Sequence, residues 1–375
     1  MNVTATDAEV RDLVRLRRDF HRHPELGYQE TRTAAIVAER LRELGYAVRE
    51  GVAVTGVLGD RDGRGRTLLV RADMDALPIL ERNDVEYRSE NHGVMHACGH
   101  DGHTAIGMVA AARFARGDVA GRLRFAFQPA EEGGQGADRM IEEGALEGVD
   151  AALGLHVWNS MPVGVVGVTP GPAMAAVDDF TIEIRGSGGH AAMPHQTDDP
   201  IVRAAAVVTN LQTIVSRRVS PFDTAVVSVT QISGGTAFNV IPDLVRLHGT
   251  LRTFLPHVRE EVHRRIREVV GEHGTVEIRS VTRTLVNDEA MSELVREAAV
   301  SVVGEENVLL EERTMGGEDF AAFLERVPGC FFFVGSRSDG GGAPHHHPEF
   351  DIDERSLPLG LEIMTRAIRL YFDRG

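Results

Sequence analysis

The sequence predicts an α/β protein in which a smaller module interrupts the main domain. Three observations lead to this fold class. Short apolar runs that end in polar residues are separated by helical patterns, which is typical of an open α/β sheet. The middle of the chain follows the strand and helix order of a ferredoxin-like module. A length of 375 residues is enough for two domains, and a hydrophobic fraction of 42% is enough for a normal core.

Local patterns define the elements of the main domain. Asp7 is suited to cap a first helix, and an alanine-rich helix is expected between Thr104 and Arg116. Four apolar runs are predicted as strands of one sheet: residues 67–73, 123–128, 151–156 and 330–335. The last helix is expected to bury one apolar face, formed by Leu361, Met364, Ile368 and Tyr371.

Residues 179–288 are predicted to form the inserted module. Its first strand alternates apolar and polar residues, and Pro200 lies in the first turn of the helix that follows. The predicted order is strand, helix, strand, strand, helix, strand: residues 180–185, 200–216, 224–231, 244–253, 258–270 and 275–281. Residues 1–178 and 289–375 then form one discontinuous domain.

Reactive side chains collect where the predicted strands of the main domain end. Open α/β sheets bind ligands at the carboxyl ends of their strands. We therefore expect one site there, built from Asp73, Asp75, Glu131, Glu132 and His156.

Residues 96–103 contain three histidines, one cysteine and one aspartate. Gly99 and Gly102 allow tight turns that would let these side chains converge. Imidazole and thiolate groups bind divalent transition metals, so Cys98 and His100 are candidate ligands of a shared centre. The alternative interpretation is a solvated polar loop with a buried thiol.

Candidate ligands come from four parts of the chain: Cys98 with His100, the pair Glu131 and Glu132, His156, and one histidine of residues 345–347. A single tetrahedral zinc needs about three or four ligands, whereas five suit two metals about 3.5–4 Å apart. At a strand end, consecutive side chains point in opposite directions. One glutamate can then face a metal while the other takes the proton of an attacking water, as in a hydrolase. By itself, the pair would be two exposed glutamates before a glycine turn.

Composition excludes several other functions. The chain has no lysine, so neither Schiff-base chemistry nor a Walker-type phosphate loop is available to it. The formal net charge of −16 argues against a nucleic-acid partner, and no stretch approaches the roughly 18–20 apolar residues of a membrane span. Cys98 and Cys330 cannot form a disulfide framework, and no signal peptide is visible, which favours the cytoplasm.

Seven motifs follow one another along the chain: HRHPELG (21–27), RADMDALP (71–78), MHACGHDGH (95–103), QPAEEGG (128–134), GLHV (154–157), GEDF (317–320) and HHPEF (346–350). Together they resemble the N-acyl-amino-acid amidohydrolase branch of the M20 metallopeptidases, which includes hippurate hydrolases, auxin-conjugate hydrolases and N-acetyl-diaminopimelate deacetylases. The resemblance covers essentially the whole chain. The Cys-Gly-His-Asp and Glu-Glu segments are specific, and the first motif is only supporting.

The resemblance implies a zinc-peptidase-like catalytic domain that binds two divalent metal ions. The implied ligands are Cys98, His100, Glu132, His156 and His346. Glu131 would be the general base and then the proton donor to the leaving amine, and Asp75 would orient a ligand. Asp73 stands where related peptidases have a metal-binding histidine. His347 stands where Ser or Asn is more common, and the spacing to Pro348 favours His346 as the ligand.

The inserted module is similar to the lid and dimerisation domain of this family. By resemblance, three of its residues contact the substrate carboxylate and the oxyanion: His190, Asn239 and Arg252. A guanidinium suits a free carboxylate, and an imidazole can stabilise negative charge on a carbonyl oxygen. The resemblance also implies a homodimer, or a higher assembly, formed through this module, and in some relatives the lid histidine acts across the dimer.

The function that follows is metal-dependent hydrolysis of the amide bond of N-acyl-L-amino acids, which releases a carboxylic acid and an amino acid. One alternative is a dipeptidase or carboxypeptidase on the same scaffold, against which Cys98 and Asp73 weigh. Another is a non-catalytic metal-binding protein, against which the intact Glu131 weighs. The ligand set accepts Zn, Mn, Ni or Co, and the sequence does not identify the acyl group.

Overall fold

A computed structural model describes residues 4–115 and 119–374. The helices are α1 (Asp7–Arg22), α2 (Thr31–Glu43), α3 (His100–Phe114), α4 (Gly136–Glu142), α5 (Pro200–Arg217), α6 (Pro256–Val270), α7 (Glu289–Val303), α8 (Ala321–Leu324) and α9 (Ser356–Asp373). The strands are β1 (Ala47–Val52), β2 (Gly56–Arg61), β3 (Thr67–Asp73), β4 (Arg122–Gln128), β5 (Ala151–Pro162), β6 (Val166–Gly167), β7 (Gly171–Met174), β8 (Ala176–Arg185), β9 (Gly189–His190), β10 (Ala225–Gly234), β11 (Val240–Ile241), β12 (Leu244–Thr253), β13 (Gly274–Thr282), β14 (Leu285–Asn287), β15 (Val308–Leu309) and β16 (Gly329–Arg337). Within these two ranges, no helix is long and apolar enough to cross a membrane.

The chain divides into two compact units. The first comprises Met1–Ala173, Val286–Arg313 and Asp319–Gly375. The second comprises Met174–Leu285 together with the short segment Thr314–Glu318.

The first unit is built on one mixed sheet of eight strands, in the order β1-β2-β4-β3-β5-β16-β6-β15. The four strands predicted from the sequence lie side by side within it as β4, β3, β5 and β16, each parallel to the next. Helices α1, α3 and α9 pack against one another and share one buried core with the sheet. The predicted apolar face of α9 lies in this core. The α/β class is therefore confirmed.

Strand β5 is longer than the sequence predicts, and His156 is not at its end. The strand continues to Pro162 because it keeps pairing with β16, whereas β3 pairs with it only as far as Val70 opposite Leu153. His156 follows Leu153 by the same three positions by which Asp73 follows Val70. The two side chains therefore stand at the level where β3 ends, so the predicted location of the site holds although the predicted strand end is wrong.

The start of the first helix also differs from the prediction. Thr6, not Asp7, is the N-cap residue. Its hydroxyl accepts a hydrogen bond from the backbone N–H of Glu9 at 3.3 Å, and the Glu9 carboxylate accepts one from the backbone N–H of Thr6 at 2.8 Å. This reciprocal capping box satisfies two N–H groups that the first helical turn leaves open, which Asp7 at the first helical position cannot do.

We expect Thr6→Ala to lower the free energy of unfolding by about 1 kcal/mol, because the substitution removes the cap. Asp7→Ala is the matched control, and it should cost only about 0.3 kcal/mol through the helix dipole. Urea denaturation of the metal-free variants measures both values. An equal loss of unfolding free energy in the two variants would show that Asp7 contributes as much to capping the helix as Thr6 does.

The second unit contains the six elements that the sequence predicts, in the predicted order: β8, α5, β10, β12, α6 and β13. Their four strands form an antiparallel sheet in the order β10-β12-β8-β13. Helices α5 and α6 pack against each other and against the sheet around a separate apolar core. Pro200 occupies the first turn of α5, as expected.

Candidate metal centre and active site

The motif that contains Cys98, residues 95–103, begins as a turn and continues as the first residues of α3. Gly99 is the N-cap of α3 with a left-handed φ of 95°, and a Cβ there would lie 2.4 Å from Cγ2 of Val157. Only glycine fits, so Cys98 and His100 are presented on either side of this turn. Gly102 lies inside α3, where a Cβ would approach Leu357 at 3.1 Å. The expectation that Gly102 makes a turn is wrong, because this glycine allows close helix packing instead. The helix itself begins four residues before Thr104, and Arg116, its predicted end, lies outside the described residues.

The structure brings the five predicted metal ligands together. In each of three groups, the potential ligand atoms lie within 4.8 Å of one another. The groups are Cys98, His100 and His156; Cys98, Glu132 and His346; and His100, Glu131 and Glu132. Because Cys98 and His100 each belong to two groups, the three form one continuous site, which has enough donors for two ions.

The side chain of Asp75 is placed to orient two of these residues. Nδ1 of His100 donates to the backbone carbonyl of Asp75 at 2.9 Å and lies 3.3 Å from the Asp75 carboxylate. The other Asp75 oxygen accepts a hydrogen bond from the backbone N–H of Glu132 at 2.9 Å. Within the described part of the chain, the buried atoms Nε2 of His100 and Oε1 of Glu132 make no well-aligned hydrogen bond, although Oε1 of Glu132 lies 3.1 Å from Nε2 of His346. Buried polar atoms are rarely left this way, and both atom types are metal ligands, so the site fits bound divalent ions.

His156 and His103 lie together, but they differ in which ring nitrogens remain available to bind a metal. Nδ1 of His156 donates to the carbonyl of Val157 at 2.7 Å, which leaves Nε2 facing Sγ of Cys98 at 3.5 Å. Burial lowers the pKa of His156 well below its usual range, so the ring is neutral. His103 uses both nitrogens, donating to Asp73 at 2.6 Å and accepting from the N–H of Val157 at 2.8 Å. It therefore supports the site without a free atom for a metal.

Asp73 is committed to hydrogen bonds at the end of β3. Its two oxygens accept from Arg71 at 2.7 Å and from His103 at 2.6 Å. Despite complete burial, the Arg71 guanidinium holds the pKa of Asp73 well below its usual range. The guanidinium also contacts Asp319, which accepts two hydrogen bonds from Gln128, so the GEDF motif helps to lock β3 to β4.

The two glutamates lie in a tight turn after β4, not at the end of the strand. Ala130 has a left-handed φ of 53°, and the N–H of Gly133 donates to the carbonyl of Glu131 at 2.6 Å. The alternation expected of a strand is therefore lost, and both carboxylates group with His100. A left-handed alanine costs on the order of 1–3 kcal/mol, and such strain persists only where the surroundings enforce it.

Neighbouring histidines of the run at residues 345–347 make different contacts. His346 has a left-handed φ of 64°, and its N–H donates to the carbonyl of Ala97 at 2.8 Å, next to Cys98. Nε2 of His346 lies 3.1 Å from Glu132. His345 instead faces the sulfur of Cys98 through Nδ1 at 3.9 Å.

His345 is a site residue that the sequence analysis included only as one of residues 345–347 and passed over in favour of His346. Its Nε2 accepts a hydrogen bond from the N–H of Asn159 at 3.0 Å, so Nδ1 carries the proton and can donate to the sulfur of Cys98. The ring stacks on Trp158 with centroids 4.6 Å apart. The only signal in the sequence is membership of the run at residues 345–347, which does not tell one histidine from the next.

Two of the candidate ligands are protonated near neutral pH when no metal is bound. Burial raises the pKa of the Cys98 thiol well above its usual range, and the charges of Glu132 and Glu131 raise it further. Burial opposes protonation of His100, but the carboxylates of Asp73, Asp75 and Glu132 together outweigh it and raise the pKa of His100 to about 10. A metal must therefore displace a proton from each of these side chains.

Metal binding near neutral pH should release about two protons, one from Cys98 and one from His100. Both pKa values are raised, so acid keeps the two groups protonated and weakens binding. The apparent affinity should rise by roughly two orders of magnitude per pH unit. Calorimetric titration in buffers of different ionisation enthalpy measures the release. A release near zero would remove Cys98 and His100 from the ligand set.

The predicted substrate residues belong to the second unit. His190 and Asn239 are brought together where β9 pairs with β11, since the N–H of Ala191 donates to the carbonyl of Asn239 at 3.1 Å. Nδ1 of His190 accepts from the N–H of Ala192, which leaves the proton on Nε2 of an exposed ring. Arg252 lies on β12, and burial lowers its pKa. Among the residues that the structure describes, it makes no ion pair, so its guanidinium is available to an anion.

Comparisons with known proteins show the family of the chain. Residues 69–370 match the peptidase family M20/M25/M40. An N-acetyl-L-cysteine deacetylase of Bacillus subtilis is 42% identical over 358 residues, which cover 92% of this chain and 85% of that protein. Thermostable carboxypeptidase 1 of Saccharolobus solfataricus is 39% identical, over 94% and 93% of the two chains.

A solved structure gives the same result. The YXEP protein of Bacillus subtilis, described as a dinuclear metal-binding peptidase of the M20 family, superimposes with a TM-score of 0.84 at 34% identity and covers 98% of this chain and 99% of that one. The fold, the ligand cluster and these relatives agree with one another. The chain therefore belongs to the peptidase family M20/M25/M40, and it is an amide hydrolase that depends on two divalent metal ions.

Proposed function

We propose that this enzyme hydrolyses the amide bond of N-acyl-L-amino acids to a carboxylic acid and an amino acid. The observation that carries the proposal is the pair Glu131 and Glu132, which both group with His100. One carboxylate is then left for proton transfer when the other is a ligand. The similarity to an N-acetyl-L-cysteine deacetylase supports the substrate class.

In this proposal, Cys98, His100, Glu132, His156 and His346 hold the two ions. Asp75 fixes the orientation of His100 and of the Glu132 backbone through its hydrogen bonds. When bound, divalent ions lower the pKa of water towards ~7 and polarise a carbonyl group. Zn, Mn, Ni and Co all suit the mixture of imidazole, thiolate and carboxylate donors.

Glu131 is the proton carrier of the reaction. Its carboxylate takes a proton from the attacking water and returns it to the nitrogen of the scissile amide, so that the amine leaves neutral. The Nε2–H of His190 is available to hydrogen bond the oxygen that becomes negative as the carbonyl is attacked. Arg252 and Asn239 hold the free carboxylate of the amino acid, the guanidinium by charge and the amide by hydrogen bonding.

We further assign the second unit as a lid and dimerisation domain. Several large apolar side chains are exposed on it, among them Phe222 at 96% and Phe238 at 99%. Exposed apolar groups of this kind suit a contact with a second copy of the chain. The thiols of Cys98 and Cys330 are both free, which suits a reducing cytoplasmic location.

The test is amine release from a panel of substrates after metal removal and reloading. The panel contains N-acetyl amino acids, hippurate and dipeptides, and the protein is reloaded separately with Zn, Mn, Ni and Co. We expect turnover of the acyl amino acids that disappears with a chelator and returns with metal. Cleavage of dipeptides alone would favour the carboxypeptidase alternative, which one relative's name supports. If the metal-loaded protein released amine from none of these substrates, the proposal would be overturned.

A further inference from the structure

The segment between α1 and α2 lies against the turn that carries the two glutamates. Its backbone also runs beside Asp75, since the N–H of Ala76 donates to the carbonyl of Glu25 at 2.8 Å. A Cβ on Gly27 would lie 3.0 Å from the Cβ of Ala130 and 3.7 Å from the carboxylate of Asp75. The first motif of the chain and the residues just after it therefore touch both sides of the catalytic turn, although none of these residues is a candidate ligand.

Glu30 reaches this turn directly. Its side chain is fully buried, and one carboxylate oxygen accepts a hydrogen bond from the backbone N–H of Ala130 at 2.9 Å. The other oxygen accepts from the hydroxyl of Thr55 at 2.5 Å. Glu30 is the N-cap residue of α2, yet its side chain does not cap that helix. Glu25 takes over this task by accepting from the N–H groups of the first turn, so Glu30 is free to hold Ala130.

Tyr28 holds the far end of the same turn. Its hydroxyl donates to the carbonyl of Gly134 at 2.6 Å. Between the two anchors, a Cβ on Gly134 would lie 2.5 Å from the Cβ of Ala130, so the turn has no room to rearrange. Glu131 is thus flanked by two backbone N–H groups that are each held by a buried carboxylate, Ala130 by Glu30 and Glu132 by Asp75.

We propose that Glu30, assisted by Tyr28, is a positioning residue for Glu131. Its hydrogen bond maintains the left-handed backbone at Ala130, and this backbone aims the base. The proposal rests on the proposed function of Glu131. It assigns a role to the stretch from Gly27 to Glu30. This role is distinct from metal binding, because the candidate ligand Glu132 is held by Asp75 and not by Glu30.

Two variants of Glu30 separate the effect of side-chain length from the effect of side-chain charge. Glu30→Asp keeps the charge but shortens the side chain by one methylene, so the carboxylate no longer reaches Ala130. Glu30→Gln keeps the reach, because its amide oxygen can accept from Ala130 while its NH₂ group faces the Thr55 hydroxyl. We expect Glu30→Asp to lower kcat by about 10–100-fold, with KM and metal content within about 2-fold of wild type. Glu30→Gln should keep at least about a third of the wild-type kcat.

Hydrogen exchange in the metal-free protein provides a readout that does not need activity. The peptide that covers residues 126–136 should exchange faster in Glu30→Asp than in wild type or in Glu30→Gln. Glu362→Asp is the matched control, since this buried carboxylate in α9 binds Arg113 and Thr4 away from the site. It should lower the melting temperature without changing kcat or exchange at residues 126–136.

Each other outcome overturns the positioning role. Wild-type kcat in Glu30→Asp would show that Ala130 needs no anchor. An equal loss in Glu30→Gln would assign the effect to charge, and loss of metal in Glu30→Asp would make the residue part of the metal centre. If Glu30→Asp does not fold, Tyr28→Phe replaces it, with an expected loss of about 3–10-fold in kcat and faster exchange at residues 126–136. An inactive wild type would contradict the proposed function, whereas the exchange result would still decide the role of Glu30.

Discussion

Replacing Glu131 with glutamine should lower kcat by about 10³-fold or more while both metal ions stay bound. The amide has nearly the shape of the carboxylate but cannot accept a proton from water, and general-base catalysis is typically worth 10²–10⁴-fold. KM should change little, because the substitution leaves Arg252 and Asn239, the groups proposed to hold the substrate carboxylate, unchanged. Steady-state kinetics and elemental analysis of the same preparation give both numbers.

Glu132→Gln is the matched control, since it makes the same chemical change at the next residue of the same turn. It should lose metal as well as activity, because Oε1 of Glu132 is one of the buried atoms that make no well-aligned hydrogen bond in the described ranges. If Glu131→Gln kept wild-type turnover, Glu131 would not be the base. If it lost metal to the same extent as Glu132→Gln, the two residues would share one role.

Replacing Cys98 with serine should weaken metal binding by more than about 10²-fold and should affect both ions. Loss of a residue that merely supports a ligand costs about 10–100-fold, so loss of a ligand itself costs more, and a hydroxyl is a poorer ligand than a thiolate. Cys98 belongs to the group with His100 and His156 and also to the group with Glu132 and His346. Metal titration of the chelated protein measures the affinity and the stoichiometry.

Cys330→Ser tests whether this effect belongs to the site. Cys330 is the other cysteine of the chain, it is fully buried in β16, and it belongs to none of the candidate metal groups found among residues 4–115 and 119–374. The variant should lose stability through burial of a hydroxyl but should still bind two metals per chain. Two tightly bound ions in Cys98→Ser would show that the thiol is not a ligand.

The sequence was sufficient for features that depend on local patterns. The strands around Val70, Phe125, Leu153 and Phe332 were recognisable because buried parallel strands are nearly continuous apolar runs. The ligands Cys98, His100 and His156 could be proposed because thiolate and imidazole have few other uses at the ends of such strands. These predictions need only the chemistry and spacing of residues close in the chain.

Features that depend on distant partners could not be predicted. The extension of β5 beyond His156 follows from pairing with a strand more than 170 residues later. The anchoring of Ala130 by Glu30 joins residues 100 positions apart, and the sequence shows only a glutamate in a polar segment. The wrong cap is a different case, because it is local: the spacing of Thr6 and Glu9 is the sequence signature of a capping box, and the choice of Asp7 overlooked it.

The grouping of Cys98 and Glu132 with His346 also has a mechanical consequence. These side chains come from two segments of the first unit that are far apart in the chain, and Cys98 and His346 are separated by roughly 250 residues. An ion held by both closes a very long loop in the folded chain, and because the unfolded chain does not hold the ion in this way, the free energy of metal binding stabilises the fold. The centre is therefore a removable cross-link. A chelator should lower the melting temperature of the first unit as well as stop turnover, and the core of the second unit, which contains none of these ligands, should unfold at an unchanged temperature.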